Sequence, residues 1–204
     1  MRNAAKIVAE LGFDGIDINM GCPDRTIEKQ GAGAALIKDA KLAQEIIRAA
    51  MEGAGGLPVS VKTRIGYNKD ILEEWLGAIL ETKPAALTVH ARTRKQISKV
   101  PARWEDVGRA VKLRDKMGSK TLIIGNGDVK DLADAEEKAR RAGADGVMLG
   151  RAIFGNPWLF NKTTEYQNIK TEEKLKVMVE HTKLFEKLLG GKKNFAIMKK
   201  HYKA

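Results

Sequence analysis

Five times along this 204-residue chain a short β-rich run gives way to a loop of Gly, Asn, Asp or Arg, and then to a longer stretch of helical periodicity. Strands that alternate with helices pair in parallel through right-handed crossovers, so the pattern predicts an α/β fold with a parallel sheet covered by helices. The predicted strands are Gly15–Asn19, Pro58–Arg64, Ala86–Ala91, Thr121–Gly125 and Gly146–Leu149. An amphipathic helix, Asn3–Leu11, opens the chain, and helices are predicted between the strands at Lys41–Met51, Ile71–Glu81, Trp104–Met117 and Leu132–Ala142. Two architectures satisfy this alternation, the open doubly wound sheet and the TIM, or (β/α)8, barrel. The polar residues select the barrel. Each strand ends in its own chemistry-bearing group: Asn19 with Cys22, Lys62 with Arg64, His90 with Arg92, Asn126 with Asp128, and Gly150 with Arg151. A doubly wound sheet concentrates ligand groups at one switch point, whereas a barrel gathers them from many strand ends onto one face.

A barrel needs eight strands and about 250 residues, and this chain offers five strands in 204 residues. The expectation is a fragment truncated at both ends, holding only strands four to eight. Residues 1–158 would form a partial barrel. Residues 159–204 would begin an α-helical domain, because apolar residues recur at helical spacing among many lysines over Thr171–Leu189 and again over Phe195–Tyr202.

Composition narrows the setting. With 43% hydrophobic and 31% charged residues the chain can build a core. No run approaches the roughly 20 apolar residues of a membrane span, and the opening helix does not have the basic and apolar character of a signal segment, so the expected location is the cytoplasm. The single cysteine cannot form an internal disulfide. Against 26 acidic residues stand 37 basic ones, a formal charge of +11 and an isoelectric point near 9.7. A polyanion, nucleic acid first among them, is the partner such a balance suggests, and a basic but merely solvated surface is the alternative. The positive residues are regional, concentrated in Lys83–Arg103 and Lys162–Lys203.

The last two loops carry the clearest chemical signal. Gly125-Asn126-Gly127-Asp128 and Gly150-Arg151-Ala152 follow the strands after which barrels often bind phosphate. Glycine lets backbone amides approach phosphate oxygens and arginine adds a charge-assisted bond, although either loop alone reads equally as a turn needing positive φ. Lys62 and Arg64 share one parity of Val59-Ser60-Val61-Lys62-Thr63-Arg64 and so point to one side, where burial demands an anion or water; Arg64 is expected to reach solvent at the rim. His90 would face the barrel mouth, either as a satisfied structural histidine or, beside Arg92 and Arg94, as a ligand contact. Cys22 sits in a turn between Gly21 and Pro23, at the presumed reactive end and beside the positive end of a following helix. It reads as a small buried hydrophobe or as a reactive thiol. Gly31-Ala32-Gly33 lacks the third glycine of a dinucleotide fingerprint and opens a helix instead. The pattern suggests no metal site.

Together these residues carry a resemblance. Asp17-Ile18-Asn19-Met20-Gly21-Cys22-Pro23, followed by Gly31-Ala32-Gly33-Ala34-Ala35-Leu36, is similar to the signature of the flavin-dependent tRNA-dihydrouridine synthases. Val61-Lys62-Thr63-Arg64, His90-Ala91-Arg92-Thr93-Arg94, Gly125-Asn126-Gly127-Asp128 and Met148-Leu149-Gly150-Arg151-Ala152 follow in the same order, with Gly155-Asn156-Pro157-Trp158 after them. The resemblance covers nearly the whole chain. It implies an FMN-containing barrel that reduces a uridine of tRNA to 5,6-dihydrouridine with NADPH as reductant, and with Cys22 as the proton donor. Lys62 and His90 match positions that contact the flavin. Asn126, Gly127, Asp128, Gly150 and Arg151 match those that hold its ribityl chain and phosphate. Asn19, Arg64, Arg92 and Arg94 fall on the substrate side, and the basic C-terminal helices face tRNA. Two other readings stand beside it: an FMN barrel acting on a small molecule such as a free pyrimidine, and a non-catalytic RNA-binding remnant.

Overall fold

In Val59-Ser60-Val61-Lys62-Thr63-Arg64 the β-branched residues occupy every second position, the pattern of a strand with one face against helices. The computed structural model, which describes residues 1–161, 163 and 166–202, forms that strand as β2 (Val59–Arg64). Its neighbours are β1 (Ile16–Asn19), β3 (Ala86–His90), β4 (Leu122–Asn126) and β5 (Gly146–Met148). All pair in parallel, in the order β1-β2-β3-β4-β5. Right-handed crossovers between strands in unbroken order place every connecting helix on one face, the winding of a barrel; a doubly wound sheet would reverse its order.

The helices are α1 (Arg2–Glu10), α2 (Arg25–Lys29), α3 (Ala40–Gly53), α4 (Leu72–Leu80), α5 (Trp104–Lys116), α6 (Leu132–Ala142) and α7 (Thr171–Leu189). The strands and long helices fall where the sequence predicts, within one or two residues at their ends. The segment after Cys22 differs. No helix opens at Gly31; α2 forms first, capped by Asp24, whose Oδ1 accepts the amides of Thr26 at 2.8 Å and Ile27 at 3.3 Å. A 3-10 turn, Gly33–Lys38, follows, and α3 starts after Asp39, which caps Leu42 N at 3.0 Å. A five-residue helix is too short to leave an apolar period, so Asp24 was its one sequence signal.

Cα clustering divides the chain into two units: Met1–Asp128 with Ala135–Met148, and Val129–Asp134 with the chain from Leu149 onward. The first unit has its core under the helices. Val59, Val61, Leu87, Val89 and Ile123 from the strands meet Ala43 and Ile47 of α3, Trp75, Leu76 and Ile79 of α4, and Val107 and Ala110 of α5. One polar chain crosses this core. Trp75 Nε1 donates to Thr63 Oγ1 at 3.0 Å, and Thr63 Oγ1 donates to Met20 O at 3.0 Å, so both buried polar side chains are satisfied. The second unit is built on α7 and the 3-10 turn Phe195–His201, joined by Phe185 against Phe195 and by a 2.7 Å bond between the Thr182 and Tyr202 hydroxyls. The sequence expectation of a second helix over Phe195–Tyr202 is corrected to this tighter turn.

Thr63→Val keeps the shape of the side chain but strands the Trp75 N–H in the core. Urea unfolding should show a loss of about 1–3 kcal/mol, the cost of a buried unsatisfied donor; an unchanged midpoint would contradict this packing.

Candidate active site

Parallel register carries side chains of matched residues to the same face of the sheet. Asn19 pairs with Lys62, Lys62 with Thr88, Arg64 with His90, and His90 with Asn126. The face opposite the helices therefore presents Asn19, Lys62, Arg64, His90 and Asn126 near the carboxyl ends of four adjacent strands. This is the row that the sequence predicted strand by strand.

The arginines in this region are struts. Arg64 is only 7% exposed; its Nε donates to Gly21 O at 2.8 Å, and its Nη1 donates to Thr93 O and Ile97 O, each at 3.2 Å. The expectation that it reaches solvent at the rim is corrected. A guanidinium has five donors, and here they satisfy carbonyls that the loops after β1 and β3 would otherwise leave unpaired. Arg92 is likewise buried, at 3% exposure. Its Nε donates to Val100 O at 2.6 Å, its Nη2 pairs with Asp128 Oδ2, and its Nη1 lies 3.1 Å from His90 Nε2. Arg94, also expected at the substrate, forms a two-pronged pair with Glu28 of α2 and lies over the Tyr67 ring. The carboxylate partners Glu28 and Asp128 are what the sequence reading missed as arginine anchors.

Around Cys22 the backbone is held from three sides. Asn19 Oδ1 accepts the amides of Gly21 and Cys22, both at 3.0 Å, so this side chain shapes the turn. Cys22 O accepts Ala34 N at 2.9 Å. A Cβ on Gly33, whose φ is +60°, would lie 2.8 Å from Cys22 O and 3.1 Å from Cys22 Cβ. The second glycine of Gly31-Ala32-Gly33 thus permits close packing beneath the cysteine, a role that the sequence reading did not find. The helix said to follow Cys22 does not offer it a free amino end, because Asp24 occupies the α2 amides. Cys22 itself is a half-buried free thiol.

Two groups in the row have no hydrogen-bond partner among the described residues for the atoms that matter. Lys62 Nζ makes no hydrogen bond or ion pair with any described residue. Burial first, and then the Arg64 charge, hold its ammonium below the usual lysine range, while Asp17 and Cys22 act in the other direction. His90 uses Nε2 toward Arg92, and its Nδ1 makes no hydrogen bond with any described residue. Burial first, then Arg64, Lys62 and Arg92, against the pull of Asp128, lower its pKa to about 3, so it is neutral at physiological pH. A cationic amine and an imidazole, half-buried and short of acceptors, suit an anionic or oxygen-rich ligand.

The β4 loop is more structural than predicted. A Cβ on Gly125 would lie 2.3 Å from Trp104 Cζ3, so that glycine makes room for the indole rather than for phosphate. Trp104 Nε1 donates to Gly127 O at 2.9 Å, and Gly127 has φ +122°. Asn126 Nδ2 donates to Met148 O at 2.8 Å, and Asp128 Oδ2 also accepts Ala102 N at 2.9 Å. In the second unit, Gly150 has open space where a Cβ would stand, and Arg151 is exposed. Among the described residues no group of three or more His, Cys, Asp or Glu is poised to hold a metal ion, and no helix is long and apolar enough to cross a membrane.

A parallel α/β sheet wound in barrel order, with its polar row at the carboxyl strand ends, defines a barrel enzyme architecture. The family model described as dihydrouridine synthase (Dus) matches residues 1–204, and the chain belongs to that family. A "Probable tRNA-dihydrouridine synthase" of Staphylococcus epidermidis is 45% identical over 181 residues, which cover 88% of this chain and 54% of that protein. The chain thus spans about half the length of the curated relatives it matches. Among solved structures, morphinone reductase superposes with a TM-score of 0.56 at 20% identity, over 78% of this chain and 45% of its own. A 2,3-dimethylmalate lyase gives 0.54 at 15% identity, over 97% and 80%. At such identities the likeness establishes the fold alone, and two different chemistries among the names show why the site must carry the function.

Arg64→Met should free the Gly21 carbonyl and loosen the Cys22 turn. Faster alkylation of Cys22 by a maleimide is expected, with a stability loss of about 1–3 kcal/mol. Unchanged alkylation in a folded variant would contradict the strut.

Proposed function

We propose that this chain is the catalytic core of a tRNA-dihydrouridine synthase that binds FMN and uses NADPH to reduce a uridine of tRNA to 5,6-dihydrouridine in the cytoplasm. The observation that carries the reading is the pair of donors without partners among the described residues, Lys62 Nζ and His90 Nδ1, on one face of the sheet with Cys22 close enough to act on the Lys62 charge. That donor set fits the electron-rich edge of a flavin. Lys62 and His90 would hold it, with Asn126 fixed beside them by Met148 O. Gly127 and Asp128 would shape the loop under its ribityl chain. Gly150 and Arg151 are assigned to its phosphate by the family resemblance alone.

When bound, the flavin supplies hydride chemistry directed at C6 of the uracil, with NADPH as the electron source. The chain's own contribution is a proton. Cys22 Sγ gives its proton to C5, the C5=C6 double bond becomes single, and the resulting thiolate is reprotonated from solvent. Asn19 and Arg64 act by holding the Cys22 turn still. The target base must leave its stack to reach the strand ends. The basic segment 159–204 is proposed as the beginning of a helical tRNA-binding domain, where lysines neutralise phosphates. A second reading is reduction of a small molecule, such as a free pyrimidine, by the same barrel.

The test is dihydrouridine formation on tRNA from a synthase-deficient strain, with FMN and NADPH, measured by mass spectrometry of the digested RNA. Cys22→Ala should retain FMN and lose about 100-fold or more in rate, the scale of a general acid. Full turnover in Cys22→Ala would refute the proton-donor role. Reduction of free uracil but not of tRNA would favour the second reading.

A further inference from the structure

An arginine side chain donates hydrogen bonds and cannot accept them. With Arg92 Nη1 3.1 Å from His90 Nε2, the imidazole nitrogen must be the acceptor, and a neutral ring then carries its proton on Nδ1. Arg92 is itself held by Asp128 Oδ2 and by Val100 O, and is buried so that no rotation toward solvent competes. Asp128 is in turn placed by Ala102 N and has φ +48°. His90 is half-buried rather than sealed, and its Nδ1 makes no hydrogen bond with any described residue.

We propose that Asp128 and Arg92 form a brace that fixes His90 in its Nδ1-protonated tautomer and makes it a constant hydrogen-bond donor at the strand ends. Arg92 and Asp128 are positioning residues in this arrangement; neither needs to touch a ligand. The inference deepens the proposed function, since it rests on an acceptor of the flavin class, a ring carbonyl or ring nitrogen, meeting His90. The charged groups that face His90 are Lys62 and Arg64 of β2, Arg92 beyond β3 and Asp128 beyond β4. Three cations against one carboxylate oppose a second proton on the ring, so the donor stays neutral and its hydrogen bond does not vary with pH.

The test is the long-range proton–nitrogen NMR spectrum of the 15N-histidine-labelled chain across pH 5 to 8, with His90 assigned by its loss in His90→Gln. A single Nδ1-protonated pattern, unchanged over that range, is expected. An Nε2-protonated ring, or one that titrates, would overturn the brace. Arg92→Lys keeps the charge and loses the fork, and should give a mixture of tautomers. Should that variant not fold, Asp128→Asn removes the anchor and should move His90 in the same direction; a His90 spectrum identical to wild type in a folded variant would overturn the proposal. In either folded variant FMN affinity should weaken, because a mixture of tautomers leaves the Nδ1 donor in place for only part of the population. Absence of FMN binding with the expected His90 spectrum would remove the flavin reading and leave the brace. A titrating His90 in a chain that binds FMN would do the reverse.

Discussion

Unbroken parallel pairing is the constraint from which the site follows. Because β1 to β5 neighbour one another in order, one register runs across the sheet, and residues two apart return to the same face. Asn19, Lys62, His90 and Asn126 are thereby brought to one face near the strand ends. Side-chain bonds also link the loops just past the strands: Arg64 donates to Gly21 O, and Arg92 pairs with Asp128.

Burying two guanidinium-bearing side chains here, with a third half-buried beside them, is tolerable because each is given acceptors. Arg64 takes carbonyls, Arg92 a carbonyl, a carboxylate and an imidazole, and Arg94 a carboxylate and an aromatic face. Hydrogen bonds to charged groups are worth about 1.5–3 kcal/mol each, and removing one partner exposes the full desolvation cost of the other. The arginines therefore stiffen the loops. Lys62 stands apart: it shares the same field but has no acceptor from the described residues, and its charge is disfavoured until an anion arrives. In the proposed reading, structure and ligand recognition are divided between two kinds of cation.

Much of this was legible in the sequence. The alternation of short apolar runs with helical periods located all five strands, and their polar ends located the row of Asn19, Lys62, His90 and Asn126. The roles of Arg64, Arg92 and Arg94 were not legible, because a basic residue after a strand looks the same whether it meets a phosphate or a neighbouring carbonyl. Gly33 and Gly125 were opaque for a related reason. Their lack of a side chain serves Cys22 and Trp104, contacts set by packing across loops. The family resemblance rests on the motifs, while the distinction between struts and ligand-binding groups needed distances.

The central claim is that Lys62 and His90 form a seat for flavin prepared by the surrounding struts. It is tested most directly by titrating the purified chain with FMN and following the flavin absorbance bands after removal of free cofactor. The account predicts one bound FMN per chain, and loss of that binding in a folded Lys62→Ala variant. A chain that stays colourless, or a Lys62→Ala variant that binds FMN as tightly as the wild type, would contradict it.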